Sequence, residues 1–465
     1  MERPYTYYDY TQSLCATCLR RVDAKIVFEA GNVYMLKRCP EHGGEKALIA
    51  TDIDYYKRIR NYMKPSEMPL RFNTKVHYGC PYDCGLCSDH EQHSCLTLVE
   101  VTDRCNLTCP TCYAGSSPTY GRHRTLAEIE HMFDIVVKNE GEPDVIQLSG
   151  GEPTVHPQFF EILDAAKKRP FRHLMVNTNG IRIAKDPEFA AQLATYMPDF
   201  EVYLQFDSFK LDALVHLRGA DLRSIREKAL ENLNRHNVST TLVVTLQKGV
   251  NTDEIGKIIH YALQQPCVRG VTFQPTQIAG RLEGFNPKTD RCTLTEVRQA
   301  ILEQTDFFTE DDLIPVPCNP DALAMGYVLK MEGEVFPLTR FINPDDLLNA
   351  SKNTIVYEQD ERLREHMVQL FSTGNSVECA TDELNGALLC CLPRVSAPNL
   401  GYENLFRIII MRFMDAYDFD VRAIKKSCVH IVNKDGNMIP FETMNLFYRD
   451  EKAAYLKTLQ ARCSA

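Results

Sequence analysis

Three cysteines, Cys105, Cys109 and Cys112, stand in C-x3-C-x2-C spacing within CNLTCPTCY. Three thiolates can hold three irons of a cubane cluster and leave the fourth iron open, whereas a pure electron carrier normally supplies a fourth cysteine. The same residues would also serve a zinc knuckle, or a four-cysteine cluster completed from elsewhere. Further along, LSGGEPT sets Gly150, Gly151 and Glu152 directly after an apolar run. Glycines let backbone approach a ligand closely, and a carboxylate there can accept hydrogen bonds from an ammonium group. Alone, this would be an ordinary strand-end turn. Beside the cysteine triad it points to an open-iron site that binds a small amino-acid-like ligand.

Other cysteines form further groups. Cys80, Cys84, Cys87 and Cys95 read C-x3-C-x2-C-x7-C, four soft ligands that suit an auxiliary [4Fe–4S] cluster ahead of tetrahedral zinc. His90 and His93 lie between them and are expected to be exposed, although either could replace a thiolate. Cys15, Cys18, Cys39 and His42 have mononuclear spacing. Cys3His zinc is the plain structural reading there, and a rubredoxin-like iron is the redox alternative. Cys318, Cys390, Cys391 and Cys428 lie in loop-like contexts and could supply a third cluster, or be free buried thiols. Cys267, Cys292, Cys379 and Cys463 read as structural or incidental.

The elements that must position these groups are clearest in the middle of the chain. Leu96–Val101 reads as a buried strand. Thr125 opens a helix with Glu128 as its capping-box partner and Ile129, Met132, Phe133, Val136 and Val137 on one face. Further strands are expected at Val145–Leu148, Leu174–Val176, Val202–Phe206, Thr241–Leu246 and Val271–Phe273, with helices at Phe159–Lys168, Leu222–His236 and Thr252–Gln264. This βα alternation predicts an α/β fold, a parallel sheet curled into an open barrel. The motifs fall at the C-terminal ends of the strands, where such sheets carry their sites. Four segments follow: residues 1–75 with the mononuclear site, 76–96 with the auxiliary cluster, 97–290 as the barrel, and 291–465 as a C-terminal domain.

The chain has 465 residues, eighteen of them cysteine, and a formal net charge of −10. Without a long basic run it is a poor candidate for nonspecific nucleic-acid binding. The N-terminus MERPYTYYDYTQ shows neither a basic n-region nor an apolar h-region, and Arg407 and Arg412 interrupt the best apolar run, Phe406–Met414. A cytoplasmic protein with clustered metal-binding cysteines, and no transmembrane segment, is the expectation.

The cysteine motif and GGEP together resemble the radical S-adenosylmethionine (SAM) superfamily, in a subgroup similar to molybdenum-cofactor synthases. The resemblance implies a partial (β/α)6 barrel with an N-terminal rubredoxin-like domain and a C-terminal α+β extension. It also implies SAM on the open iron, cleaved to a 5′-deoxyadenosyl radical. By the same resemblance, Glu152 and the Gly150–Gly151 backbone would hold the SAM amino group and Tyr113 would meet the adenine. Asn177, Thr178 and Asn179, in VNTNG, would lie near the ribose or carboxylate, with Gln205 and Asp207, in LQFDS, at the fourth strand end. The polar residues of VNTNG and LQFDS also fit plain turn chemistry.

Across its whole length the chain resembles tetraether and membrane-spanning lipid synthases, through CATC…CPEHG, GCPYDCGLC, the barrel and the FMDAYDFDVRAIKKSCVH tail. CNPDALAMGY departs from that pattern by lacking a second cysteine after Cys318. Three readings stay open. The first is radical coupling of two sp3 carbons of lipid alkyl chains, with transient membrane contact. The second is a methylase or cofactor-biosynthesis enzyme acting on a pterin-like heterocycle. The third is a non-catalytic iron–sulfur carrier, which the open triad disfavours. Either enzyme would draw on a low-potential donor such as ferredoxin or flavodoxin.

Overall fold

The computed structural model describes residues 3–62, 67–331, 334–340, 344 and 404–464. The N-terminal part is an antiparallel sheet in simple order, β1 (Thr6–Leu14), β2 (Arg21–Glu29), β3 (Asn32–Cys39) and β4 (Gly43–Ala50). Its alternating pattern buries Ala24, Ile26, Val33, Met35 and Ala47 against Tyr56, as a half-covered antiparallel sheet requires.

The central sheet is built on six parallel strands: β5 (Leu96–Thr102), β6 (Val145–Gly150), β7 (His173–Thr178), β8 (Phe200–Gln205), β9 (Thr240–Leu246) and β10 (Val268–Pro275). Each expected strand is present, with its ends moved by one to three residues. Their runs are almost wholly buried because helices cover the outer face. The helix Leu126–Glu140 starts with the complete Thr125–Glu128 capping box, and Ile129, Met132, Phe133 and Val136 are buried; the fifth inward position is Asn139, while Val137 is only partly covered.

The C-terminal chain does not form a separate layer. β11 (Leu323–Met331) pairs antiparallel with β12 (Leu405–Met411), which pairs parallel with β10. At the other edge β13 (Val429–Val432) pairs parallel with β5 and antiparallel with β14 (Met438–Pro440). The boundary expected near residue 290 therefore cuts between segments that one sheet joins. The interrupted apolar run at 406–414 is largely β12, and its arginine is accommodated by charge: Arg407 donates to Glu201 of β8 at 2.5 Å, with both side chains buried. β8 lies three strands from β12 along the sheet, so this contact spans the curved interior. Among the described residues, no helix is long and apolar enough to cross a membrane.

Candidate active site and metal centres

The cysteine loop leaves β5 at Thr102 and lies against the end of β6. The two glycines are required there. A Cβ at Gly150, which has φ of +121°, would sit 2.1 Å from the Thr102 carbonyl oxygen, and one at Gly151 would sit 2.1 Å from that of Arg104. The Gly151 and Glu152 amides donate to those same two carbonyls at 2.8 and 2.9 Å. An ammonium ligand needs acceptors, so the glycine pair has its carbonyls to offer. Arg281 clamps the loop from the far side, donating to the carbonyls of Cys109 (2.5 Å), Gly115 (3.3 Å) and Ser116 (2.7 Å).

Glu152 is 1% exposed and gathers four donors: the Thr154 amide (3.1 Å) and hydroxyl (2.5 Å), the Thr178 hydroxyl (2.7 Å) and the Asn179 amide (2.7 Å). Burial pushes its carboxyl upward, and these hydrogen bonds oppose the shift. Thr178 and Asn179 thus brace Glu152. Asn179 also reaches the cysteine loop, donating to Asn106 Oδ1 at 2.6 Å. Asn177 faces the cleft and accepts from Gln205 at 2.9 Å. Tyr113 bonds Ser149 through its hydroxyl at 2.9 Å; its ring lies 5.0 Å from Phe441 and 5.4 Å from the Arg449 guanidinium, which is held by buried Glu100.

Asp207 does not contact the cleft. It is fully buried in a left-handed conformation, φ +66°, which turns its carboxylate behind Arg218 and Arg226. Burial raises its pKa, but the two arginines more than compensate and hold it below the usual range. Arg218, which lines the cleft together with Arg226, was missed by sequence reasoning. It ends the helix Leu211–Arg218, donates to Gln205, Asp207 and Thr245, and lies near the thiols of Cys109 and Cys112. Its sequence context, LRG at a helix end, looks like any surface arginine, so only the position after the fourth strand hinted at it. Arg218 supplies the positive charge that a ligand carboxylate in this cleft would need.

Together these strand ends line a cleft that is open at its mouth. Its lining includes the polar and metal-ligating groups Cys105, Cys109, Cys112, Glu152 and Arg218 and the apolar groups Leu96, Leu98, Met411, Phe413, Val429 and Phe441. Gln147, Asn177, Gln205 and Gln274, from four different strands, also line it.

At the N-terminus, the turns after β1 and β3 bring Cys15, Cys18, Cys39 and His42 within 4.8 Å of one another. Cys18 and Cys39 sulfurs are 3.8 Å apart, and His42 Nδ1 lies 3.6 Å from Cys15 and 3.4 Å from Cys39. Zn–S near 2.3 Å and Zn–N near 2.0 Å in a tetrahedron give ligand separations of roughly 3.5–3.8 Å, so this donor set fits one metal ion. Burial works against a thiolate at Cys39, but the His42 and backbone hydrogen bonds prevail and bring it down to about 6.

The expected four-cysteine knot is divided. Cys80, Cys84 and Cys87 remain neighbours, with a Cys80–Cys84 hydrogen bond and electrostatic coupling from Cys80 to Cys87. Cys95 instead groups with Cys318 and Cys428, all three sulfurs within 4.8 Å. The cause is strand pairing: Cys95 and Cys428 directly precede β5 and β13, Leu96 is paired with Val429, and the Leu96 amide donates to the Cys428 carbonyl at 3.1 Å. Cys390 and Cys391 lie outside the described residues. His90 and His93 are buried, not exposed. His93 sits 3.2 Å from Glu140 and 3.5 Å from the Cys95 sulfur, and His90 stands 3.2 Å from His430.

Residues 99–262 match the family model of the radical SAM superfamily, and residues 7–51 match the HMPTM N-terminal zinc ribbon domain. The 7,8-dihydro-6-hydroxymethylpterin dimethyltransferase of Methanocaldococcus jannaschii is 32% identical over 95% of this chain and 94% of its own length. The chain belongs to the radical SAM superfamily. The GTP 3′,8-cyclase of Syntrophomonas wolfei is 30% identical over 40% of this chain and 57% of its own. Among solved structures, Streptococcus suis SuiB bound to S-adenosylmethionine has a TM-score of 0.38 at 14% identity, over 45% of this chain and 47% of that one.

As a member of this superfamily the protein is a SAM-cleaving, [4Fe–4S]-dependent enzyme. The three thiols at the cleft wall fit the cluster's open-iron form, and the further cysteine groups provide for auxiliary iron–sulfur and mononuclear metal.

Proposed function

We propose that this enzyme modifies a pterin-like heterocycle, as a radical SAM methylase or a related cofactor-biosynthesis enzyme. The observation that carries this reading is the likeness, along nearly the whole chain, to a protein named as a dihydropterin dimethyltransferase. Cys105, Cys109 and Cys112 would hold the cluster, and Glu152 with the glycine carbonyls would take the SAM amino group. Arg218 would take the carboxylate, and Tyr113, Asn177 and Gln205 would border the nucleoside. Bound there, the cluster and SAM supply a 5′-deoxyadenosyl radical, able to take hydrogen from carbon that acid–base chemistry leaves untouched. The surrounding residues would orient SAM in the cleft. Cys15, Cys18, Cys39 and His42 would hold zinc, as the ribbon family's name implies. Cys80, Cys84 and Cys87 would hold one auxiliary cluster, with Cys95, Cys318 and Cys428 forming another metal centre. Electrons would come from a ferredoxin- or flavodoxin-like donor.

A second reading, coupling of two lipid alkyl chains, is favoured by the apolar cleft-lining residues Leu96, Leu98, Met411, Phe413, Val429 and Phe441. Each methylene buried there would contribute roughly 0.8 kcal/mol. The test incubates anaerobically reconstituted enzyme, SAM and reductant with a deuterated dihydropterin or with a phospholipid deuterated at its chain ends. Deuterium in deoxyadenosine with a methylated pterin product supports the first reading. Deuterium from lipid alone, and a product at the summed mass less two hydrogens, replaces it with the second.

A further inference from the structure

Gln147 lies on β6 with its side chain toward the barrel interior, opposite Leu98 of β5 and Met175 of β7. The residue is 4% exposed and lines the cleft. The neighbouring amides are engaged: Asn177 accepts from Gln205, Gln205 accepts from Arg218, and Gln274 donates to the Tyr203 hydroxyl at 3.2 Å. Among the described residues, the Gln147 carboxamide has no hydrogen-bond partner and opens onto the cavity. The amide borders the open cleft and so stays available to a ligand, whereas a leucine or methionine among Leu98, Val145 and Met175 would offer that ligand no polar group.

We propose that Gln147 is a specificity-determining residue that pairs with an amide-like edge of the substrate, where an N–H donor stands beside a carbonyl or ring-nitrogen acceptor. A carboxamide offers an acceptor oxygen and an NH2 donor in one plane, the arrangement by which glutamine pairs bidentately with adenine. The pyrimidinone edge of a pterin has this form, and an alkyl chain has none. The ring of Phe441, also in the cleft lining, gives a flat heterocycle an aromatic surface nearby. The assignment rests on the pterin reading and narrows it: recognition falls to an uncharged group on β6, apart from the cysteine loop and Glu152.

The experiment uses reconstituted holoenzyme with SAM and without reductant, so that binding is read before any turnover. Anaerobic equilibrium dialysis with 7,8-dihydro-6-hydroxymethylpterin is run on the wild type, Gln147→Leu and Gln147→Glu. Gln147→Leu should bind the pterin about ten- to a hundredfold more weakly while SAM affinity stays within about twofold. Gln147→Glu keeps acceptor oxygens and loses the NH2 donor, so it should also weaken pterin binding. In turnover, Gln147→Leu should raise KM more than it lowers kcat and release more deoxyadenosine per pterin product than the wild type. Unchanged pterin affinity in Gln147→Leu overturns the assignment while leaving the pterin reading intact. An equal loss of SAM and pterin affinity also overturns it, as general distortion of the cleft. A wild type that binds no pterin overturns the proposed function and this assignment with it.

Discussion

The side chains that prepare this cleft are held by their neighbours more than by the ligand they await. Cys109→Ala removes one of three thiols while leaving the backbone brace from Arg281 to the Cys109 carbonyl in place. The variant should keep its circular dichroism and melting profile yet form no deoxyadenosine, and wild-type deoxyadenosine output would disprove the open-iron role. Glu152→Ala strips partners from Thr154, Thr178 and Asn179 at once. It should therefore weaken SAM binding about ten- to a hundredfold and lower stability by roughly 1–3 kcal/mol, measured by titration and by urea unfolding. Retention of both would refute the brace. Asp207 and Arg218 show what a sequence conceals here. LQFDS correctly marks a strand end, but φ at Asp207 and the position of an arginine eleven residues later decide which of them meets the cleft.

Among the elements, the buried contact of Glu201 with Arg407 and His173 links β8, β12 and β7. Burial pushes the Glu201 carboxyl up, but Arg407 and then His173 outweigh it and hold the pKa at about 2. A depressed carboxylate adds stability above its unfolded pKa of about 4.3, and loses it as pH falls through the folded value. Acid unfolding should therefore include a contribution between about pH 4.3 and pH 2 that Glu201→Gln abolishes. That variant should also lose roughly 3–5 kcal/mol at neutral pH, as expected when one partner of a buried pair is removed. A near-wild-type acid profile in Glu201→Gln would exclude this role. The six parallel strands were legible because each is a buried apolar run separated by amphipathic helices. β12 and β13 were not placed, because nothing local tells a strand which distant edge it will join. Cys95 was misgrouped for the same reason: its nearest cysteine in sequence is Cys87, whereas β-pairing delivers Cys428.

In the whole molecule, the ribbon is tied to the barrel's C-terminal chain by a buried lysine. Lys37 donates to the carbonyls of Leu14, Ala416 and Tyr417 at 2.7, 2.7 and 2.9 Å. Burial lowers its pKa, although Glu45 and Asp418 oppose the shift. Lys37→Met keeps the stem and removes these hydrogen bonds. It should make residues 7–51 more susceptible to limited proteolysis while the metal content at Cys15, Cys18, Cys39 and His42 is kept. Equal protease resistance in the variant and the wild type would show that other contacts hold the ribbon.

The pairing of β13 with β5 also sets an order of events during synthesis. Cys15, Cys18, Cys39 and His42 are complete within the first 42 residues, so the ribbon can take its metal while the remainder is still being made. Cys95 waits for Cys428, which at about 5–20 residues per second leaves the ribosome on the order of 20–70 s later. Until then the thiol at the head of β5 lacks the β13 strand and the Cys428 sulfur, and only Cys318 of its partners has been made. A chain arrested before β13 would expose that unprotected thiol beside an unpaired strand edge, so any metal taken by Cys95, Cys318 and Cys428 would be loaded at the end of folding.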